Sequence, residues 1–186
     1  MGTAANRLEE ISSSIMPTDK EIQNARDRVQ EVRDKIENGL DCKTYISGSY
    51  KKFTGVSPLN DVDLFIWFSK PTLRANTLKE LKTINPQNGL NRLKSRIKKL
   101  EIPHFQIRLQ DHSLGLKYEG IDFTIDLIPA FSADDPKNSS NFDRLFHIPE
   151  VSTDNWIKTE PESDQRRLAK LNNENKKKLN KIIRLF

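Results

Sequence analysis

Two aspartates stand at the first and third positions of an eight-residue run, Asp61–Phe68, that is otherwise apolar. Strand alternation sends Asp61, Asp63, Phe65 and Trp67 to one face and Val62, Leu64, Ile66 and Phe68 to the other. Two carboxylates on one face, roughly 7 Å apart along a strand, repel each other unless a cation sits between them. A pair of divalent ions roughly 4 Å apart suits that arrangement, and such pairs stabilise the attacking and leaving oxygens of a phosphoryl displacement. The all-oxygen donor set points to Mg²⁺, with Mn²⁺ as a substitute.

Upstream, a short strand-like run, Thr44–Ile46, breaks at Ser47-Gly48-Ser49, followed by the basic segment Tyr50–Thr54 and the turn-rich connection Gly55–Asn60. Gly48 allows close backbone approach or a positive φ. A helix starting near Tyr50 would turn its free N–H groups, with the Ser49 hydroxyl, toward phosphate. Downstream, Phe123, Ile125 and Leu127 alternate, leaving Asp122, Thr124 and Asp126 on the opposite face. On spacing, either aspartate could join Asp61 and Asp63.

The run GSY-KKFT, six residues, then DVDLF resembles the Gly-Ser and Asp-x-Asp signature of the polymerase-β-like nucleotidyltransferases. It is most similar to the bacterial cGAS/DncV-like (SMODS, CD-NTase) cyclic oligonucleotide synthetases. IMPTDKEI at Ile15–Ile22, IDFTIDLIPAF at Ile121–Phe131 and the segment Ile148–Asn175 resemble further family stretches, so the likeness runs from about Ile15 to the last residue. The resemblance implies an α/β (α+β) fold with a mixed sheet backed by helices. It selects Asp126, in its Asp-Leu-Ile-Pro-Ala context, as the third acid. It further implies that Asp61, Asp63 and Asp126 are catalytic and hold two Mg²⁺ (or Mn²⁺) ions. Gly48 and Ser49 would bind the nucleotide, with NTPs, ATP among them, as substrates. The implied product is a cyclic di- or trinucleotide second messenger in antiviral defence. The alternative activity is tRNA CCA addition or another terminal nucleotidyl transfer, and the non-enzyme alternative is an inactive, truncated nucleotide-binding half.

These groups need a scaffold, and 186 residues suffice for one core. Charged residues at 31% and hydrophobics at 35% are ordinary for a globular domain. The net charge of +5 favours anionic ligands in a general way and makes nucleic acid a candidate partner. A single cysteine, Cys42, excludes an internal disulfide and fits a reducing compartment, here expected to be the cytoplasm. No apolar run reaches the roughly 18 residues of a membrane span.

Helices are expected over Asn6–Ile15, with Leu8, Ile11 and Ile15 on one side, and after Thr18, whose T-x-x-E capping box precedes the stripe Ile22, Ala25, Val29, Val32 and Ile36. A short helix is expected at Thr77–Ile84, and another along Leu90, Leu93, Ile97 and Leu100, its outer face basic through Arg92, Lys94, Arg96, Lys98 and Lys99. Strands are expected around Phe105–Leu109, Leu114–Tyr118 and Phe123–Leu127. Asn141–Glu162 reads as irregular, anchored by Trp156, and Asp164–Phe186 as one helix. His104, His112 and His147 lack metal-ligand spacing and carry little functional weight.

The expected organisation is a catalytic domain over residues 1–163 and a helix over 164–186 leading toward an absent helical half. The apolar close, Ile-Ile-Arg-Leu-Phe, suggests self-association or a missing partner half there.

Overall fold

A computed structural model describes residues 4–68, 84–132, 145–176 and 178–185. The chain opens with α1 (Ala4–Ser14), α2 (Asp19–Gly39), β1 (Cys42–Ser47), α3 (Gly48–Lys52) and β2 (Asp61–Phe68). After α4 (Pro86–Lys98) come β3 (Phe105–Leu109), β4 (Leu114–Tyr118) and β5 (Thr124–Ala130). The chain continues through β6 (Phe146–Glu150), β7 (Asn155–Thr159), α5 (Pro161–Glu174) and α6 (Leu179–Ile183).

Five strands form one mixed sheet in the order β1-β2-β5-β4-β3. Only β2 and β5 run parallel; the other neighbours are antiparallel. The fold is therefore α+β, as the resemblance implies. One face of the sheet carries Val62, Leu64, Ile66 and Phe68 of β2 with Ile125 and Leu127 of β5, and α2 and α4 cover it. Burying each such side chain contributes about 1.5–3 kcal/mol.

The covering helices follow from local chemistry. Thr18 accepts from the Glu21 N–H at 3.2 Å, and the Glu21 carboxylate accepts from the Thr18 N–H at 2.7 Å, so the expected capping box starts α2. Its stripe Ala25, Val29, Val32 and Ile36 is buried. Leu90, Leu93 and Ile97 bury the inner face of α4, leaving its basic side chains outward. Cys42 is buried and free, and burial pushes its thiol up to about 12.

Two expectations are corrected. The segment Asn141–Glu162 contains a hairpin: β6 and β7 pair antiparallel from Phe146↔Thr159 to Glu150↔Asn155, and Phe131↔His147 bridges it to the end of β5. Trp156 is the anchor within it, donating from Nε1 to the Ile84 carbonyl at 2.7 Å and meeting Phe131 edge-on at 5.2 Å. The last helix is broken in two, because Lys176 takes a left-handed φ of 52° between α5 and α6 and left-handed backbone cannot continue a right-handed helix. In α1, Leu8 and Ile11 are exposed and Ser12 is buried, its hydroxyl donating to the Lys181 carbonyl. The helix expected at Thr77–Ile84 lies, except for Ile84, outside the described residues.

Candidate active site

β1 leads straight into α3, so the Ser47-Gly48-Ser49 turn is the join between strand and helix. Gly48 takes a left-handed φ of 68°, a conformation open to glycine at little cost. A Cβ placed on it would lie 1.8 Å from Asp63 Oδ2. Glycine is required twice over, for backbone shape and for room beside the carboxylate. Ser49 sits in the first turn of α3, and its carbonyl accepts from the Thr54 N–H at 3.0 Å, closing the loop behind it.

Across the sheet, register sets the acids in a row. Ser47 pairs with Asp63, Asp63 with Asp126 on the parallel neighbour, and Asp126 with Gly115. Asp61 stands one pleat back from Asp63 on the same face, opposite Thr124. Small residues flank the central pair: a Cβ on Gly115 would lie 3.3 Å from Asp126 Oδ1. Asp122 lies outside this row. It is exposed in the turn before β5 and pairs with Lys117 at 3.0 Å.

The row is electrostatically unsettled. Burial, then the charge of Asp61, pushes the Asp63 carboxyl up against the opposing pull of Lys52. Burial and the neighbouring Asp63 push Asp126 up to about 6, with Gln110 drawing it partly back. Asp126 Oδ1 is buried without a hydrogen-bond partner. Like charges, partial desolvation and an orphaned carboxylate oxygen are what a bound cation would relieve, so the three aspartates fit a divalent-metal role. Among the described residues, however, three ligating atoms fall within 4.8 Å of one another at Asp111, His112 and Glu150. Sequence reading discounted His112, and its partner Glu150 is remote in the chain; no signal in the sequence joins them.

Further along the same face the chemistry changes. Phe65, Trp67, Ile128 and Ala130 are buried beneath Phe146 and Ile148 of the hairpin. Tyr45 stacks on Phe65 at 5.0 Å, and Trp67 meets Phe146 edge-on at 5.5 Å. On the other flank, Arg184 donates to the carbonyls of Phe53 and Gly55, at 2.6 and 3.3 Å, and Asn180 donates to that of Lys52. The segment after α5 thus holds the loop that follows α3. Phe53, with a left-handed φ of 57° and 70% exposed, projects from that loop.

Among the described residues no helix is long and apolar enough to cross a membrane. A search of curated proteins returns no match. Solved structures do match in fold. E. coli CdnC with ATP superposes with a TM-score of 0.71 at 17% identity, covering 96% of this chain and 55% of that one. The Vibrio cholerae di-nucleotide cyclase DncV matches at 0.69 and 13% identity, over 96% of this chain and 64% of that one. For the Elizabethkingia meningoseptica CdnE cyclic dinucleotide synthase with GTP and Apcpp, the values are 0.65 and 17%, over 98% and 64%. The chain spans between about half and two thirds of the length of these structures. The family model of the Second Messenger Oligonucleotide or Dinucleotide Synthetase domain matches residues 1–172. The chain therefore belongs to the SMODS family, within the polymerase-β-like nucleotidyltransferase fold.

Proposed function

We propose that this chain is the catalytic part of a nucleotidyltransferase that builds a cyclic di- or trinucleotide from NTPs. The observation that carries the reading is the direct register of Asp63 with Asp126, one pleat from Asp61 and beside the backbone of Gly48. Asp61, Asp63 and Asp126 would hold two Mg²⁺ or Mn²⁺ ions. When bound, these would neutralise the triphosphate and lower the pKa of the attacking hydroxyl.

The protein's own groups supply the rest. The register fixes Asp63 and Asp126 relative to each other, so neither must be ordered when substrate arrives. The Ser49 hydroxyl and the first turn of α3 offer donors to the leaving phosphates. Gly48 keeps the approach to Asp63 free of a side chain. The dry aromatic block beneath the hairpin holds β2 and β5 rigid behind the acids. Structures of similar proteins with ATP or GTP support NTPs as substrates, and the family's second-messenger description supports a signalling product, which we assign to antiviral defence. The absence of a membrane-crossing helix among the described residues fits a cytoplasmic setting.

The test is mass spectrometry of products after incubation with all four NTPs and Mg²⁺ or Mn²⁺, paired with thermal melts using a non-hydrolysable ATP analogue. Asp63→Asn should lower any product at least about a hundredfold, beyond what loss of groups supporting a metal site costs. It should also abolish metal-dependent stabilisation by the analogue. Near-wild-type turnover or unchanged stabilisation in Asp63→Asn would sink the assignment.

A further inference from the structure

A second cluster of metal-ligating side chains lies away from the acid row and shares no residue with it. Asp111 and His112 sit in the turn between β3 and β4, and Glu150 ends β6. One ligand atom from each lies within 4.8 Å of the others, and all three residues are partly exposed.

The histidine is already oriented. Its Nδ1 lies 2.7 Å from the Pro149 carbonyl oxygen. A carbonyl oxygen only accepts, so Nδ1 carries the proton. In the neutral ring Nε2 then presents a lone pair, and it faces Asp111 Oδ2 at 3.5 Å. Two acceptors facing each other at this distance are reconciled by a second proton on the ring, by a water donating to both, or by a cation shared between them. Metal-ligating histidines characteristically donate their other ring N–H to a backbone carbonyl or carboxylate, which is the arrangement at His112.

Both carboxylates are held by groups outside the trio. Asp111 accepts from the Ser152 N–H at 2.6 Å and from the Ser152 hydroxyl at 2.9 Å. Glu150 accepts from the Thr153 hydroxyl. One nitrogen and two carboxylate donors, each fixed from outside and open to solvent on one side, suit a borderline first-row ion better than Mg²⁺. We propose that Asp111, His112 and Glu150 form a divalent-cation site, for Zn²⁺ in the first instance. Water would complete the coordination. The ion would cross-link the β3–β4 turn of the large sheet to the β6–β7 hairpin, and so serve structure rather than transfer chemistry.

The experiment is calorimetric titration of the full chain with Zn²⁺ in an Asp61→Asn, Asp63→Asn, Asp126→Asn background, where the acid row cannot hold an ion. One equivalent should bind, and His112→Gln or Glu150→Gln should each weaken it by about tenfold or more. No binding up to millimolar Zn²⁺, or an affinity unchanged by both substitutions together, would overturn the proposal. Should either variant fail to fold, ¹⁵N NMR of the imidazoles in the unsubstituted chain decides. Zn²⁺ should shift Nε2 of His112 and leave His104 and His147 in place, whereas a shift at either of those instead would refute the site.

Discussion

One face of the strand pair β2 and β5 is two environments laid end to end. At the near end Asp61, Asp63 and Asp126 stand partly in water, flanked by Ser47 and Gly115. At the far end Phe65, Trp67, Ile128 and Ala130 are sealed under Phe146 and Ile148. The backbone is the same ladder throughout, so the difference is made by what covers it: a hairpin over one half and, among the described residues, nothing comparable over the other. The packed half and the charged half are separated by one pleat. The dry half can be packed as tightly as any core because no ligand needs to enter it. The wet half can keep repelling charges because its strands are held elsewhere.

Breaking the dry half should cost most. Phe146 is 1% exposed and touches Tyr45, Phe65 and Trp67. Phe146→Ala should destabilise the chain by about 3–5 kcal/mol, read from denaturant midpoints. If the loss is below about 1 kcal/mol, the hairpin is not what stiffens the strands.

At the wet end, Gly48→Ala imposes a side chain on left-handed backbone and drives it into Asp63. A cost of about 2 kcal/mol is expected, with loss of metal-dependent nucleotide stabilisation in the same melts. A variant as stable as the parent would mean that the glycine is incidental.

The charge on the row can be read by pH. Asp126 is raised from the ordinary 3.8 to about 6, so between those values the folded chain binds more protons than the unfolded one. Stability should therefore fall as pH rises from about 4 to about 6 and level off above. In metal-free buffer Asp126→Asn should shrink that fall to what Asp63 contributes, and be the more stable protein at pH 7. The gain is about 1 kcal/mol once the shift is discounted for solvent screening. Identical pH profiles for the two proteins would break the claim that the row is strained. The smallest effect is expected outside the row. Asp122→Asn loses an exposed pair with Lys117 and should change stability by less than about 0.5 kcal/mol and activity hardly at all.

Local physics was legible in the sequence. β2 is found at Asp61–Phe68 as alternation requires, and α2 begins at the Thr18–Glu21 box, since a few neighbouring side chains decide each. Register was legible only in part. Spacing left Asp122 and Asp126 open, and the choice of Asp126 came from its resemblance to the family context. The structure then sets Asp126, not Asp122, opposite Asp63. The hairpin was missed because His147 and Pro149 interrupt its apolar pattern, and its cover over Phe65 and Trp67 comes from residues far along the chain. The break at Lys176 was hidden by a run of leucines and isoleucines at helical spacing on both sides of it. Asp111, His112 and Glu150 meet only because two turns from different sheets come together.

The hydrogen bonds from Arg184 to Phe53 and Gly55 make the end of the described chain a lever on the loop behind the Gly-Ser turn. Those residues are 129 and 131 positions apart in sequence, yet they share donors and acceptors. Coupling through such a joint would be reciprocal: if the proposed nucleotide orders the loop, it stiffens α6 as well, and a contact that grips α6 then shifts nucleotide affinity by the same factor.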